Sequence, residues 1–275
     1  MIRIAVAQMR TGIDPAQSGV EVVEAARRAR EGGAQMLFTP EMTNLVDRDR
    51  SRSKASIVSE ESDAVLRSAL DAAQRFEMWM ALGSLAIRLE DGQLANRSLL
   101  ISPMGEIIAR YDKMHMFDVD LASGESWRES NAYKAGEQAV TAATPLGTLG
   151  LTICYDLRFP ALFDELGRRR CDAIAVPAAF TVPTGKAHWH VLQRARAIEA
   201  SAFVIAAAQV GRHEDGRETY GHSLVVDPWG EVLLDMGGED PGIGFCDIDM
   251  ARIAEVRAQV PSLANRREIP RAAGQ

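Results

Sequence analysis

Two short segments of this chain repeat one another, and the repeat limits the fold more than any single motif. SLLISPMGEII at 98–108 and SLVVDPWGEVL at 223–233 are identical at five positions and otherwise mostly apolar for apolar. Each reads as two strands around a turn, Ser102-Pro103-Met104-Gly105 and Asp227-Pro228-Trp229-Gly230, with Pro and Gly where turns favour them. The segments before the hairpins pair in the same order. IRIAVAQM at 2–9 and GLTICYD at 150–156 read as buried strands. QMLFTPE at 35–41 and DAIAVPAAF at 172–180 are strands broken by Pro40 and Pro177. MWMALGSLAI at 78–87 matches AFVIAAAQ at 202–209. Helical patterns fall between them, at 15–30 before Gly32-Gly33, at 61–76, at 160–168 and at 187–200. Two similar halves follow, roughly 2–112 and 149–250 within one domain spanning 1–275. Neither half alone buries both faces of its sheet. The expectation is an α/β fold of two sheets face to face with helices outside, and a site at the strand ends where the halves meet.

Composition narrows the class. The 275 residues are long enough for a sizeable core. A formal net charge of −7 does not favour nucleic acid or anionic membranes as partners. Three widely spaced cysteines, with no C-x-x-C pair, predict neither a disulfide framework nor structural zinc. No stretch resembles a signal peptide, and no run reaches the about 18 apolar residues of a membrane span. A cytoplasmic location is expected.

Corresponding positions of the halves differ in chemistry. Cys154 falls where the first half has Ala7, and Glu41 where the second has Ala178. In LTICYDLRFP, a strand ends at Ile153 and a helix starts near Pro160, so Cys154 occupies the turn, beside backbone N–H groups able to hold an oxyanion. An inert core cysteine is the alternative, and Cys171 and Cys246 fit it. Glu41 ends an apolar strand, where burial raises a carboxyl toward the range useful to a general base; a helix-start glutamate is the other reading. Lys113, in RYDKMHMFD, has apolar neighbours. It either favours a nearby thiolate and holds a tetrahedral intermediate, or pairs with Asp112 or Asp118. Glu129 lies in the long loop between Phe117 and Ala139, a candidate against a plain surface carboxylate. Arg158 offers a planar fork for a substrate carboxylate, or pairs with Asp156 or Asp164. Thr181 and Thr184 are further candidate donors. His188 and His190 flank Trp189 at a helix opening. With no third ligand at a recognised spacing, no metal site and no cofactor are expected there, and the histidines read as structural or pocket-lining.

Taken together, FTPEM, RYDKMHMFDVD and GLTICYDLRFP resemble the nitrilase superfamily of carbon–nitrogen hydrolases, over nearly the whole chain as far as the arginines at 266–267. The resemblance implies a four-layer α-β-β-α sandwich, a homodimer or larger assembly, and a small-molecule amide as substrate. It implies Cys154 as nucleophile, Glu41 as general base, Lys113 as stabiliser of the intermediate, Glu129 as the glutamate that positions the lysine, and the Tyr155 N–H as part of the oxyanion hole. AFTVPTGKAHWHVLQRARAIEA and AAAQVGRHEDGRETYGHSLVVDPWG are similar to the superfamily's Nit branch, which implies amides that carry a carboxylate. His190 departs from the glutamate usual in that branch after AHW. Nitrile or N-carbamoyl amino acid hydrolysis, Cys–His acyl transfer and a non-catalytic binding module are the competing readings.

Overall fold

Local signals set most elements. In the computed structural model, which describes residues 1–120, 124, 126–267 and 269, the chain opens with β1 (Ile2–Gln8) and α1 (Pro15–Glu31). Asp14 caps α1 by accepting from Ala16 N at 2.9 Å, and Pro15 stands in its first turn, where a missing N–H costs nothing. Next come β2 (Met36–Phe38), the short helix α2 (Arg50–Ser56) and α3 (Ala64–Arg75), capped by Asp63. Strands β3 (Trp79–Arg88), β4 (Leu94–Ile101) and β5 (Ile107–Asp112) end the first half. A small ribbon of β6 (Asp118–Asp120) and β7 (Ser126–Arg128) and the strand β8 (Val140–Thr144) lead to the second. That half comprises β9 (Gly147–Leu151), α4 (Pro160–Arg168), β10 (Ala173–Ala175), α5 (Val182–Ala200) and β11 (Phe203–Ala206). The ribbon β12 (Val210–Arg212) and β13 (Glu218–Tyr220) precedes β14 (Leu224–Val226) and β15 (Val232–Asp235). β16 (Gly242–Ile248) and α6 (Ala251–Gln259) follow.

The two main sheets have matching orders, β16-β1-β2-β3-β4-β5 and β15-β14-β11-β10-β9-β8. The first three strands of each half run parallel and the hairpin adds two antiparallel strands. Both expected turns form, closed by Gly105 N to Ser102 O and Gly230 N to Asp227 O at 2.9 Å, with both glycines at positive φ. Side chains alternate across the first sheet. Ile4, Val6, Met36, Phe38, Ala81 and Leu100 pack into a core shared with the second sheet. Ala5, Ala7, Leu37, Met80, Leu82 and Leu99 pack outward against α1 and α3. The layers are therefore helix, sheet, sheet, helix.

The outermost strands differ from expectation. Residues 242–248 fall within the expected second half, yet β16 pairs with β1 in the first sheet, and β8, from between the halves, pairs with β9. The strand VTAAT is short of large apolar residues and half exposed, and GIGFCDI is broken by two glycines, so neither carries a strong pattern. Helix α5 starts at Val182, five residues before the expected 187, with Pro183 in its first turn. The Cys154 strand stops at Leu151, and residues 154–158 form a 3-10 turn.

Candidate active site

Glu41, Lys113 and Cys154 come together between the two sheets, 4%, 2% and 7% exposed. They follow the ends of β2, β5 and β9. Cys154 stands in the left-handed region at φ 47°, strained for a residue with a side chain. Its N–H is bound to Pro177 O at 2.8 Å, and the N–H of Asp156 to Ile153 O at 3.0 Å. The Tyr155 N–H lies between them. The buried Asp156 carboxylate holds this turn from below, accepting from Ile153 N at 2.8 Å and Tyr111 Oη at 2.6 Å, and from His115 N at 3.1 Å. The same carboxylate thus ties the cysteine turn to the chain on both sides of Lys113.

Glu41 is fixed by its backbone and by β3. Thr39 N donates to Ala81 O, Ser84 N to Pro40 O, and the Ser84 hydroxyl accepts from Met42 N at 2.9 Å. This turn presses against Gly83, where a Cβ would meet Thr39 O at 2.0 Å, so only glycine fits. The pairing of β3 with β4 shifts register at the same place. From the second half, Gln209 donates to Glu41 O at 3.0 Å, and Ala179 N donates to the Glu41 carboxylate at 2.9 Å.

Lys113 sits between two carboxylates. Its Nζ donates to Glu41 Oε1 at 2.9 Å and to Glu129 Oε2 and Oε1 at 2.8 and 3.1 Å. Phe117 N also holds Glu129, at 2.7 Å. Asn96 bridges the pair, donating to Glu41 at 2.9 Å and to Glu129 at 3.2 Å. The alternative partners are taken elsewhere. Asp112 binds Arg97, and Asp118 accepts from Ser130. Asn96, Gly83, Gln209 and Tyr111 were not among the candidates. A buried asparagine among the apolar residues of LANRSLLI is the one local signal that pointed to any of them.

Electrostatics reverse two expectations. Burial pushes the Glu41 carboxyl up, but Lys113, with hydrogen bonds from Lys113, Cys154 and Asn96, brings it below the ordinary glutamate range. Burial and the Glu41 charge push the Cys154 thiol well above its ordinary value, and Lys113 does not offset them. Both shifts favour a thiol beside an ionised carboxylate. Lys113 is lowered by burial, yet Glu129, Glu41 and Cys154 raise it well above an ordinary lysine.

Around the cysteine stands an aromatic wall. Phe117 meets Tyr155 edge-on at 5.1 Å, and Tyr155 meets Phe159 at 5.3 Å. Arg158 lies across Phe180 at 5.3 Å and Tyr155 at 5.9 Å, with Nη1 3.2 Å from His188 Nδ1. Neither expected carboxylate pairs with it. Asp156 is occupied as described, and Asp164 binds Arg168 and Arg266. The Thr181 and Thr184 hydroxyls, the further candidate donors, bond to each other at 2.8 Å, because the first turn of α5 brings them together. Each histidine is engaged by another group: His115 with Asp156, His188 with Arg158, His190 and His222 with Asp235, and His213 with Thr11 and Thr219. Cys171 and Cys246 are buried free thiols, as expected of core cysteines.

Residues 3–258 match the carbon–nitrogen hydrolase family. The chain is 39% identical over 255 residues to deaminated glutathione amidase from Synechocystis sp., covering 91% of each protein. The NitFhit protein of C. elegans superposes with a TM-score of 0.89 at 33% identity, over 97% of this chain and 65% of that longer one. A mutant of the amidase from Nesterenkonia sp. AN1, solved with acrylamide joined by Michael addition at its active-site cysteine, is 27% identical at a TM-score of 0.79, over 95% and 98%. Fold, buried site and these likenesses agree: the chain belongs to the carbon–nitrogen hydrolase family.

Proposed function

We propose that this enzyme hydrolyses a small amide bearing a carboxylate, of the deaminated glutathione or 2-oxoglutaramate type, through a thioester on Cys154. The observation that carries the reading is the closed Glu41–Lys113–Cys154 set, with Lys113 held between two carboxylates. Glu41 takes the thiol proton as sulfur attacks the amide carbonyl. Because the thiol is raised and the carboxyl lowered, this transfer proceeds together with C–S bond formation. Lys113 Nζ and the Tyr155 N–H hold the oxyanion, each such donor being worth roughly 3–4 kcal/mol. As Lys113 turns to the oxyanion it shares less charge with Glu41, whose basicity rises when the proton arrives. Protonated Glu41 then passes its proton to the leaving nitrogen and the C–N bond breaks, leaving the thioester. Glu41 next takes a proton from water as its oxygen attacks the thioester; the C–S bond breaks, the acid leaves, and Glu41 returns the proton to the departing sulfur. Glu129 and Asn96 keep Lys113 and Glu41 in register.

Arg158 binds the substrate carboxylate. Its guanidinium has no carboxylate partner among the described residues and lies over Tyr155, next to the nucleophile. Thr181 adds a hydroxyl when substrate displaces its bond to Thr184. The protein works in the cytoplasm as a homodimer or larger oligomer. Exposed Ile198, Trp229 and Val260 line a groove of about 810 Å³ suited to a second copy.

The test is ammonia release from acid-bearing amides and their methyl esters, with a nitrile and an N-carbamoyl amino acid alongside. A charge-assisted contact of roughly 1.5–3 kcal/mol predicts kcat/KM about tenfold to a hundredfold higher for the acid than the ester. Arg158→Lys should erase that preference, mainly through KM. Equal values for acid and ester, or an equal loss on both in the variant, would remove the carboxylate from the proposal. Turnover of the nitrile alone would overturn the amide reading.

A further inference from the structure

Three side chains that the mechanism does not use converge on one point. His190 comes from the middle of α5, His222 from the link between β13 and β14, and Asp235 from the end of β15. His190 Nε2 lies 2.9 Å from Asp235 Oδ2, and His222 Nδ1 lies 2.9 Å from Asp235 Oδ1. The two ring nitrogens and the carboxylate all fall within 4.8 Å of one another. Of the two histidines that flank Trp189, His188 faces Arg158 instead, and the partners of His190 come from 32 and 45 residues further along the chain, His222 and Asp235.

We propose that His190, His222 and Asp235 form a binding site for a divalent transition-metal cation of the zinc and cobalt class, with its fourth position open to water. The donor set is two imidazoles and one carboxylate, which suits these borderline ions rather than calcium or magnesium. A tetrahedral ion with bonds of about 2.0–2.1 Å sets its ligands roughly 3.3 Å apart, so the two N···O contacts open slightly and the rings close on each other. Any proton held between a ring nitrogen and the carboxylate leaves to solvent as the ion takes its place, and each neutral imidazole keeps its proton on the other nitrogen.

The ligands are held from behind. Gly237 N donates to Asp235 Oδ1 at 2.9 Å. Tyr220 stacks on the His222 ring at 4.4 Å. The backbone of His222, at φ 54°, is pinned by Trp189 Nε1 to its carbonyl at 2.8 Å and by its own N–H to Gly237 O at 2.7 Å. Such support tunes metal affinity by orienting ligands before the ion arrives. The side chains remain a quarter to a third exposed, which leaves the ion a path in. No residue is shared with the Glu41–Lys113–Cys154 set, so the ion would clamp α5 to the second hairpin rather than enter the reaction.

The experiment titrates chelator-treated protein with cobalt(II) alone, read by its visible ligand-field bands and by calorimetry, and then displaces cobalt with zinc. One saturable site per chain is expected, together with a rise in the unfolding temperature. His190→Gln and Asp235→Asn should each weaken binding by at least about tenfold while amide hydrolysis in the same samples stays at the wild-type level, which shows that the variants are folded. Cys154→Ser should bind cobalt as the wild type does. Absence of saturable binding, binding unchanged in both ligand variants, or binding lost in Cys154→Ser would each overturn the site.

Discussion

Glu129→Gln tests whether the second carboxylate sets the reaction rate or merely packs against Lys113. The change keeps size and shape but removes one charge and one acceptor oxygen. In the native protein Glu129 accepts from Lys113 Nζ at 2.8 and 3.1 Å and from Phe117 N at 2.7 Å, more than one amide oxygen can satisfy. Lys113 then leans toward Glu41, 2.9 Å away, and off the oxyanion position. Removing an oxyanion donor costs about 10²–10³ in kcat, and misplacing one should reach the lower end, about a hundredfold. KM should move little, because the ground-state amide is neutral. The sign of the pH effect is also set. Burial lowers the Lys113 ammonium, and the charges of Glu129 and Glu41 raise it well above its ordinary value. Without the Glu129 charge, burial weighs more, so deprotonation and the alkaline limb of kcat move to lower pH. Stability associated with the raised lysine is present below its unfolded value and lost as pH rises through the folded one, so the variant should also unfold sooner in alkali. Its loss should stay under the about 3–5 kcal/mol of a fully broken buried pair, because Glu41 remains. Ammonia release followed from neutral pH to beyond the ordinary lysine range, with thermal unfolding on the same samples, measures all of this. A kcat within about threefold of wild type and an unmoved alkaline limb would refute the positioning role.

Cys154→Ala should abolish turnover and leave the fold intact, since the side chain is small; a slow substrate should leave an acyl adduct on Cys154, and an adduct on Cys171 or Cys246 instead would refute the assignment. Glu41→Gln and Lys113→Met should each slow acylation by at least about a hundredfold, measured as single-turnover ammonia release, and near-normal rates would mean that another group holds the role. Because the Glu41 carboxyl lies below the ordinary glutamate range, the acid limb of kcat/KM should also lie below that range; a limb above it would show that the free enzyme does not hold the Glu41–Lys113 pair described.

What could be read in the sequence was what neighbouring residues decide. Pro103 and Gly105, like Pro228 and Gly230, announce their turns within four positions, and the apolar runs before Glu41 and Cys154 place both at strand ends. Sheet edges were harder, because β8 and β16 carry weak patterns and their partners lie in other segments. The charge state of the site was harder still. An apolar strand says that Glu41 is buried, and burial alone raises a carboxyl. The opposing field comes from Lys113, 72 residues away, and from Asn96, 55 away. The thiol shows the same limit in reverse: Lys113 near a cysteine suggests a thiolate, but burial and the Glu41 charge outweigh it. A pKa in a closed site is the small remainder of burial and several opposed charges. Its sign therefore belongs to the folded constellation, and a chain with the same glutamate, lysine and cysteine but without Asn96 and Glu129 around them would hold its proton differently.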